Sequence, residues 1–394
     1  MMERRYAEAA TNFESSGRDG ARSWEIGTYE DKDKAGVLAL IRDEYGDVDL
    51  AQESYFDWLR SASPSGIRQW LVREKGTGRV ISSGTMVAAR ATWRGQEIAA
   101  LLGFNIIVAP EYRRQGIHTA LTKQTREDIR QAGYRLTTVF PNPNSMPPLA
   151  RSKNFHHVSE VPLLIRPLDM AVLTEERLNN PLLSWGVNRG WEVAERTFLR
   201  PPRLPRNGPT LPISEDPVLD GEYDLFWEQV KAKYDLMLVR DRAFLQWRFC
   251  DIPTREYQVV SARHKRVDSG SGRSSPGIGG YIVLRQAEIR GILTGIIADF
   301  MVLPGEQGEL AGLQLLHAAL QRFEQAQVPL AGGLMLPHTQ EYSIMRRAGF
   351  LRAPRPFAPQ PFHLFIRSYH DDPPLSTLTR PEGWYVSIAD HDAV

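Results

Sequence analysis

The sequence predicts an α/β protein of two similar modules in tandem, each a mixed, mostly antiparallel sheet flanked by helices. Three observations carry that expectation. The same order of strand-like and helical periodicity runs through both halves. Val108-Ala109-Pro110 matches Val302-Leu303-Pro304, and Asn154-Phe155 matches Gly349-Phe350, with nearly equal spacing from the proline to the phenylalanine in each half. Between the halves, residues 200–217 hold six prolines, which exclude a continuous helix or a central strand. The organisation expected is a polar arm over 1–20, a first module over 21–200, a Pro-rich linker over 201–217 and a second module over 218–394.

In chain order, alternation predicts a strand over 24–29. A helix over 34–44 follows, with Val37, Leu38, Leu40 and Ile41 on its buried side, and then a short helix over 52–61. Three β-type runs, 69–73, 80–93 and 97–108, are separated by Gly76-Thr77-Gly78 and Arg94-Gly95 and read as an antiparallel meander. Residues 116–132 have helical spacing and stop at Gly133, a C-cap residue. A strand over 134–140, a short helix over 145–152 and one strand over 157–166 close the first unit. The second half repeats this with strands over 257–262, 278–285 and 291–302, a helix over 310–325, a strand over 330–336 and a helix over 341–348. A Gly/Ser segment over 268–280 reads as a long loop, and 353–361 as an irregular stretch.

Composition narrows the function classes. Of 394 residues, 42% are hydrophobic and no apolar run reaches the roughly 18 residues a membrane helix needs. With 48 basic against 47 acidic residues the net charge is +1, so no bulk attraction to nucleic acid or anionic lipid is expected. The single cysteine, Cys250, excludes an internal disulfide and a CxxC metal site and fits a reducing, cytoplasmic setting. No metal-binding or P-loop motif is present, and the adjacent His156 and His157 would point to opposite faces of a strand.

The chemistry concentrates in Asn105 to Leu121, NIIVAPEYRRQGIHTAL, a strand, a basic turn with a glycine, and a helix. A helix N-terminus presents unpaired amides and a partial positive charge, which together bind phosphate. Arg113 and Arg114 add formal charge, and Gly116 leaves the backbone open to close approach. The alternative is a solvated turn whose glycine serves only the backbone.

This stretch resembles the acetyl-CoA-binding motif of the GNAT acyltransferase superfamily, an Arg or Gln followed by two variable residues, Gly, one variable residue, and Gly or Ala. The match is Arg113-Arg114-Gln115-Gly116-Ile117-His118, with His118 in the last position. The second half, the segment Arg240-Asp241-Arg242-Ala243-Phe244-Leu245 and the chain end from Gly383 to Asp392 resemble tandem-GNAT proteins of bacterial surface-polysaccharide and amino-sugar pathways. The resemblance implies that acetyl-CoA is the co-substrate and that the strand edge at Ile106, Ile107 and Val108 holds its pantetheine. It implies that Arg113, Arg114, Gln115, Gly116, Ile117 and His118 hold its pyrophosphate. Asn144 and Ser145 would contact the pantetheine or acceptor, or simply cap the next helix. The implied acceptor is a small-molecule amine, on a sugar or sugar nucleotide, with no metal and no nucleic acid.

Acyl transfer to an amine needs a neutral nucleophile, donors to the thioester oxygen and a proton source for the departing thiolate. The tyrosine usual in the family falls at Ala150, so the standard acid is absent. Candidates for proton transfer are Glu97, on the strand leading into the motif, His157, and Asp299 in the apolar run Ile296-Ile297-Ala298-Asp299-Phe300. Asp299 could equally be a hydrogen-bonded structural carboxylate. In the second half the turn reads Pro304-Gly305-Glu306-Gln307-Gly308-Glu309, which would repel pyrophosphate. Two readings remain: an acetyl-CoA-dependent N-acyltransferase, and a non-catalytic acyl-CoA-binding or partner-binding protein on the same fold.

Overall fold

Runs of β-branched and aromatic residues build the first sheet from β1 (Trp24–Thr28), β2 (Ile67–Glu74), β3 (Val80–Trp93), β4 (Gln96–Val108), β5 (Leu136–Val139) and β6 (His156–Val161). The structure, a computed structural model, describes residues 23–175, 210–263, 277–354, 358 and 360–391. The expected arm at 1–20, linker residues 201–209 and Gly/Ser residues 268–276 lie outside the described residues. Helix α1 (Lys34–Tyr45) buries Val37, Leu38, Leu40 and Ile41 as its spacing predicts. The second helical stretch is α2 (Glu53–Asp57), continued by a wide turn over Trp58–Ala62. Helix α3 (Ile117–Gln131) connects β4 to β5, and those two strands are parallel. Helices α4 (Met146–Arg151) and α5 (Met170–Glu175) complete the described part of the first half.

The second sheet contains β7 (Leu163–Pro167), β8 (Ile213–Glu215), β10 (Gln258–Arg263), β11 (Ile278–Ile289), β12 (Ile292–Val302), β13 (Leu330–Leu334) and β14 (Leu351–Arg352). The short β9 (Leu236–Leu238) pairs instead with β3, and β15 (Phe362–Ser368) lies in the first sheet. The strand orders are β1-β2-β3-β4-β5-β15-β6 and β14-β7-β13-β12-β11-β10-β8. Helices α6 (Glu222–Val230), α7 (Arg242–Leu245), α8 (Gly305–Gln325) and α9 (Gln340–Arg347) flank this half.

The two halves exchange strands. The single strand expected over 157–166 is divided at Pro162, which has no N–H to continue a ladder. Upstream of it β6 pairs with β15; downstream, β7 inserts between β13 and β14 of the other sheet. In return β15 lies between β5 and β6. Strand β15 escapes sequence reading because it follows the irregular stretch after residue 353. Helix α8 begins at Gly305 rather than at 310, so the turn that aligns with the basic turn is largely helical. The C-terminal aromatic segment forms no ladder strand: it runs buried through short 3-10 turns at Pro381–Gly383 and Ile388–Asp390.

One hydrophobic core spans both halves, with Ala100, Leu136 and Val161 of the first sheet in one cluster with Phe300, Leu316 and Phe350 of the second half and Leu364 and Ile366 of β15. Smaller clusters lie under α3, around Trp70, Leu101 and Leu121, and under α1, around Leu38, Phe56 and Ile107. Because β15 carries the ladder bonds that join β5 to β6, a chain cut to residues 23–175 leaves β6 without its partner and β5 bare along one edge in mid-sheet. Such a fragment is expected to show no cooperative thermal transition by circular dichroism, whereas the full chain does.

Candidate active-site cleft

Strands β4 and β5 run side by side from Ala100–Leu136 to Leu102–Thr138 and then part. A β-bulge drives the divergence: Met86 pairs with Gly103 and Thr85 with Asn105, so Phe104 is the extra residue and the strand bends there. Gly103 is needed at the fork, since a Cβ would sit 2.8 Å from Val139 Cγ2. On the other side Pro141 and Pro143 cannot donate to a ladder and end β5. The opening is a cleft of about 490 Å³. Its walls come from β4 (Asn105, Ile106), α3 (His118, Leu121, Thr125) and the stretch after β5 (Phe140, Asn142, Ser145). Gln360, Arg367 and His391 reach it from the far end of the chain.

At one end lies the basic turn. Gly116 caps α3 with φ +76°, a left-handed conformation, and the space where its side chain would project is empty for 4 Å. By helix geometry the amides of Ile117, His118 and Thr119 have no intrahelical acceptor. Arg114 is exposed, also left-handed at φ 62°, and makes no ion pair or hydrogen bond with a described residue. Arg113 differs from expectation: its Nε donates to the Val108 carbonyl at 3.0 Å and its terminal nitrogen pairs with Glu44, so it braces the turn. Gln115 Nε2 donates to the Glu111 carbonyl at 3.2 Å. The turn is thus an anion cradle of open amides with one unpaired cation, suited to a pyrophosphate.

Of the expected strand-edge residues, Ile106 is exposed and lines the cleft, whereas Ile107 points into the core below α1, leaving only its backbone for a ligand. Val108 packs against the core under α3. Asn144 and Ser145 both line the cleft, and the turn that holds them is built by Asn142, whose Oδ1 accepts from the amides of Asn144 at 3.0 Å and Ser145 at 2.9 Å. The sequence pattern singled out Asn144 and Ser145 but not Asn142, which holds both in place. Ala150 is exposed on α4, while its neighbours Pro148 and Leu149 face the cleft, so α4 offers no hydroxyl there.

The three proton-transfer candidates are not brought together. Glu97 sits exposed near the start of β4, in an ion pair with Arg90 at 3.3 Å. At about 3.4 Å per residue that is roughly 30 Å along the strand from Ile106. His157, on β6, is not among the residues that line the cleft; its Nε2 lies 3.1 Å from Nδ1 of His363, and burial, then the neighbouring imidazole, holds its pKa below the ordinary value. Asp299 is fully buried and fully used. It accepts from Arg240 Nε at 3.3 Å, Tyr281 at 2.8 Å, Ser387 Oγ at 2.7 Å and Tyr385 at 3.2 Å. Arg240 also donates to Asp390 at 2.6 Å. That network is structural: it ties the C-terminal segment to the second sheet, and through it His391 to the cleft.

The second half closes the corresponding space. Glu341 accepts from the Val302 amide at 3.2 Å and from Lys233 and Tyr234 at 2.6 Å each, while Tyr385 donates to the Phe300 carbonyl at 2.5 Å. The strand edge equivalent to Ile106–Val108 is therefore occupied by side chains. At Gly308 a Cβ would lie 1.7 Å from the Leu303 carbonyl oxygen, so backbone fills the turn where phosphates would sit. His338 is likewise engaged, with its Nε2 2.8 Å from the Trp384 carbonyl.

The comparisons agree with this geometry. The family model described as an acetyltransferase (GNAT) domain matches residues 25–158. A conserved Enterococcus faecalis V583 protein described as a "Probable N-Acyltransferase" superposes with a TM-score of 0.59 at 14% identity, over 88% of this chain and 73% of that one. Saccharomyces cerevisiae N-myristoyltransferase with bound myristoyl-CoA gives 0.55 at 12% identity, over 88% and 79%. A tandem GNAT protein from the clavulanic acid biosynthesis pathway gives 0.51 at 15% identity, over 88% and 99%. No curated protein sequence matches the chain. The fold is that of an α/β protein, and the family match places an acetyltransferase domain in its first half. The match identifies residues 25–158 as a GNAT acetyltransferase domain, and the chain as a whole shares the fold of a tandem GNAT protein. Among the described residues no helix is long and apolar enough to cross a membrane.

His391 provides a pH test of this architecture. Burial, aided by the Arg248 charge, lowers its pKa from 6.5 to about 4. Between those values the unfolded chain binds the extra proton, so stability is complete above about pH 6.5 and falls as pH drops toward 4, by up to about 3 kcal/mol. Urea midpoints at pH 7.5 and 5 are expected to fall apart in the wild type and to lie closer together in His391→Gln.

Proposed function

We propose that the protein is an acetyl-CoA-dependent N-acyltransferase acting on a small amine, with an amino sugar or sugar nucleotide as the acceptor class. The observation that carries this is the asymmetry of the two halves. Where β4 and β5 part, an open cleft leads to an unblocked helix N-terminus with Gly116 and Arg114; at the equivalent place in the second half Glu341, Tyr385 and the Leu303 carbonyl fill the space.

In this reading the α3 amides and Arg114 hold the pyrophosphate, and the strand edge at Ile106–Val108 pairs with the pantetheine. The thioester then sits near the fork at Gly103. The amine nitrogen, once neutral, attacks the thioester carbonyl carbon, the C–S bond breaks, and the nitrogen gives its proton to water as the thiolate gains one. With no hydroxyl on α4, the thiolate takes its proton from water or from the Ser145 hydroxyl on the cleft wall. The missing acid also favours a second reading, an acyl-CoA-binding protein without turnover. The two separate on free-thiol release: an enzyme liberates CoA when given acetyl-CoA and an amino sugar such as glucosamine, and a binding protein releases none above background. The near-neutral net charge supports a small-molecule acceptor rather than a nucleic acid, and the single cysteine supports a cytoplasmic setting.

Arg114→Glu and Gly116→Val are expected to weaken acetyl-CoA binding at least about 10-fold in calorimetric titration, with the fold retained. Glu306→Lys, on the exposed start of α8, is the control and should leave the affinity unchanged. Equal losses in all three would remove the cofactor from the first half.

A further inference from the structure

The cleft holds one charge that the acyl-CoA reading does not use. Arg367 lies on β15 and lines the cleft, yet it is only 4% exposed. Its guanidinium sits between the rings of Phe155 and Tyr369, 5.5 Å from each centroid, and makes no ion pair or hydrogen bond to any described residue. Its Nε is buried without a partner. Arg126 on α3 is a second cation acting on it, and no carboxylate among the described residues pairs with it. A buried, unpaired guanidinium is costly, and in a ligand cleft it calls for an anion supplied by the ligand.

Position selects which anion. The pyrophosphate cradle is at Gly116, whereas Arg367 faces α3 near Thr125 and Arg126; at 1.5 Å per residue those points are about 13 Å apart along the helix. The two sites therefore do not serve one phosphate pair. Arg367 pairs in register with Thr137, one residue before the fork at Thr138, on a strand about 4.8 Å from β5. That places the guanidinium within a short chain's length of a thioester held at the fork. The walls between are apolar, with Met86, Leu121, Val139 and Phe155. A short apolar stem ending in a carboxylate matches that lining.

We infer that Arg367 receives the terminal carboxylate of the acyl group, so that the favoured donor is an ω-carboxyacyl-CoA of the succinyl type. This inference rests on the acyl-CoA reading of the cleft and specifies its acyl group. The transfer itself is unchanged: the amide forms at the thioester carbon, CoA leaves as the thiol, and the distal carboxylate remains paired with Arg367 throughout.

The test is equilibrium binding of CoA, butyryl-CoA and succinyl-CoA to the full chain and to Arg367→Met, with butyryl-CoA as the uncharged match in length. Succinyl-CoA should bind the wild type about 10- to 100-fold more tightly than butyryl-CoA, and Arg367→Met should abolish or reverse that preference while binding CoA itself as before. The Met variant should melt at the same temperature as the wild type or higher, because it removes an unpaired buried charge. Equal affinity of the wild type for succinyl- and butyryl-CoA overturns the assignment, and so does an equal loss for all three ligands in Arg367→Met, which would place Arg367 on CoA itself. Should the Met variant not fold, the wild-type comparison alone decides. Failure of the wild type to bind any of the three refutes the acyl-CoA reading instead.

Discussion

Phe365 is bonded in register to Val139 on one side and His157 on the other, so the strand that unites β5 with β6 comes from the opposite end of the chain. The first sheet repays this by giving β7 to the second. Backbone groups in mid-sheet must be paired, and the exchange makes each half the source of the other's pairing. The single core running through both halves follows from it, as does the reach of Arg367 and His391 into a cleft built mostly by residues before 150.

Within that frame the halves have diverged by filling or leaving one space. In both, a parallel pair of strands parts beyond a short ladder, β4 from β5 and β12 from β13. In the first half the bulge at Phe104 and the prolines after β5 hold the gap open beyond the close approach at Gly103. In the second, Lys233 and Glu341 pair in the gap, and Arg240 with Asp299 and Asp390 anchors the C-terminal segment beside it. Buried ion pairs of this kind contribute little net stability, but removing one partner is costly, which keeps such a gap closed. The second half thus acts as a scaffold that presents residues to the first.

Much of this was legible in the sequence, for identifiable reasons. The repeated element order, the meander and the basic turn are local patterns, and periodicity and turn residues report them directly. The acidic second turn likewise signalled that only one half is open. What sequence left hidden depends on distant partners. Pro162 looks like an irregularity in one strand until its two flanks are seen in different sheets. Asp299 reads as a reactive carboxylate in an apolar run because the Tyr281, Ser387 and Arg240 donors that satisfy it come from three other segments. Arg113 looks equivalent to Arg114 until Glu44, far away in sequence, claims it. Arg367 gave no signal at all, since β15 is short and follows a proline-rich stretch.

The exchanged strand also sets a timetable for synthesis. A ribosome adding roughly 5–20 residues per second releases β5 and β6 well before β15 exists. For an interval on the order of ten seconds or more, the nascent chain carries two strand edges whose proper neighbour has not yet been translated. Such edges are templates for pairing with other chains, so the nascent first half would be a natural client for chaperones until the chain is nearly complete.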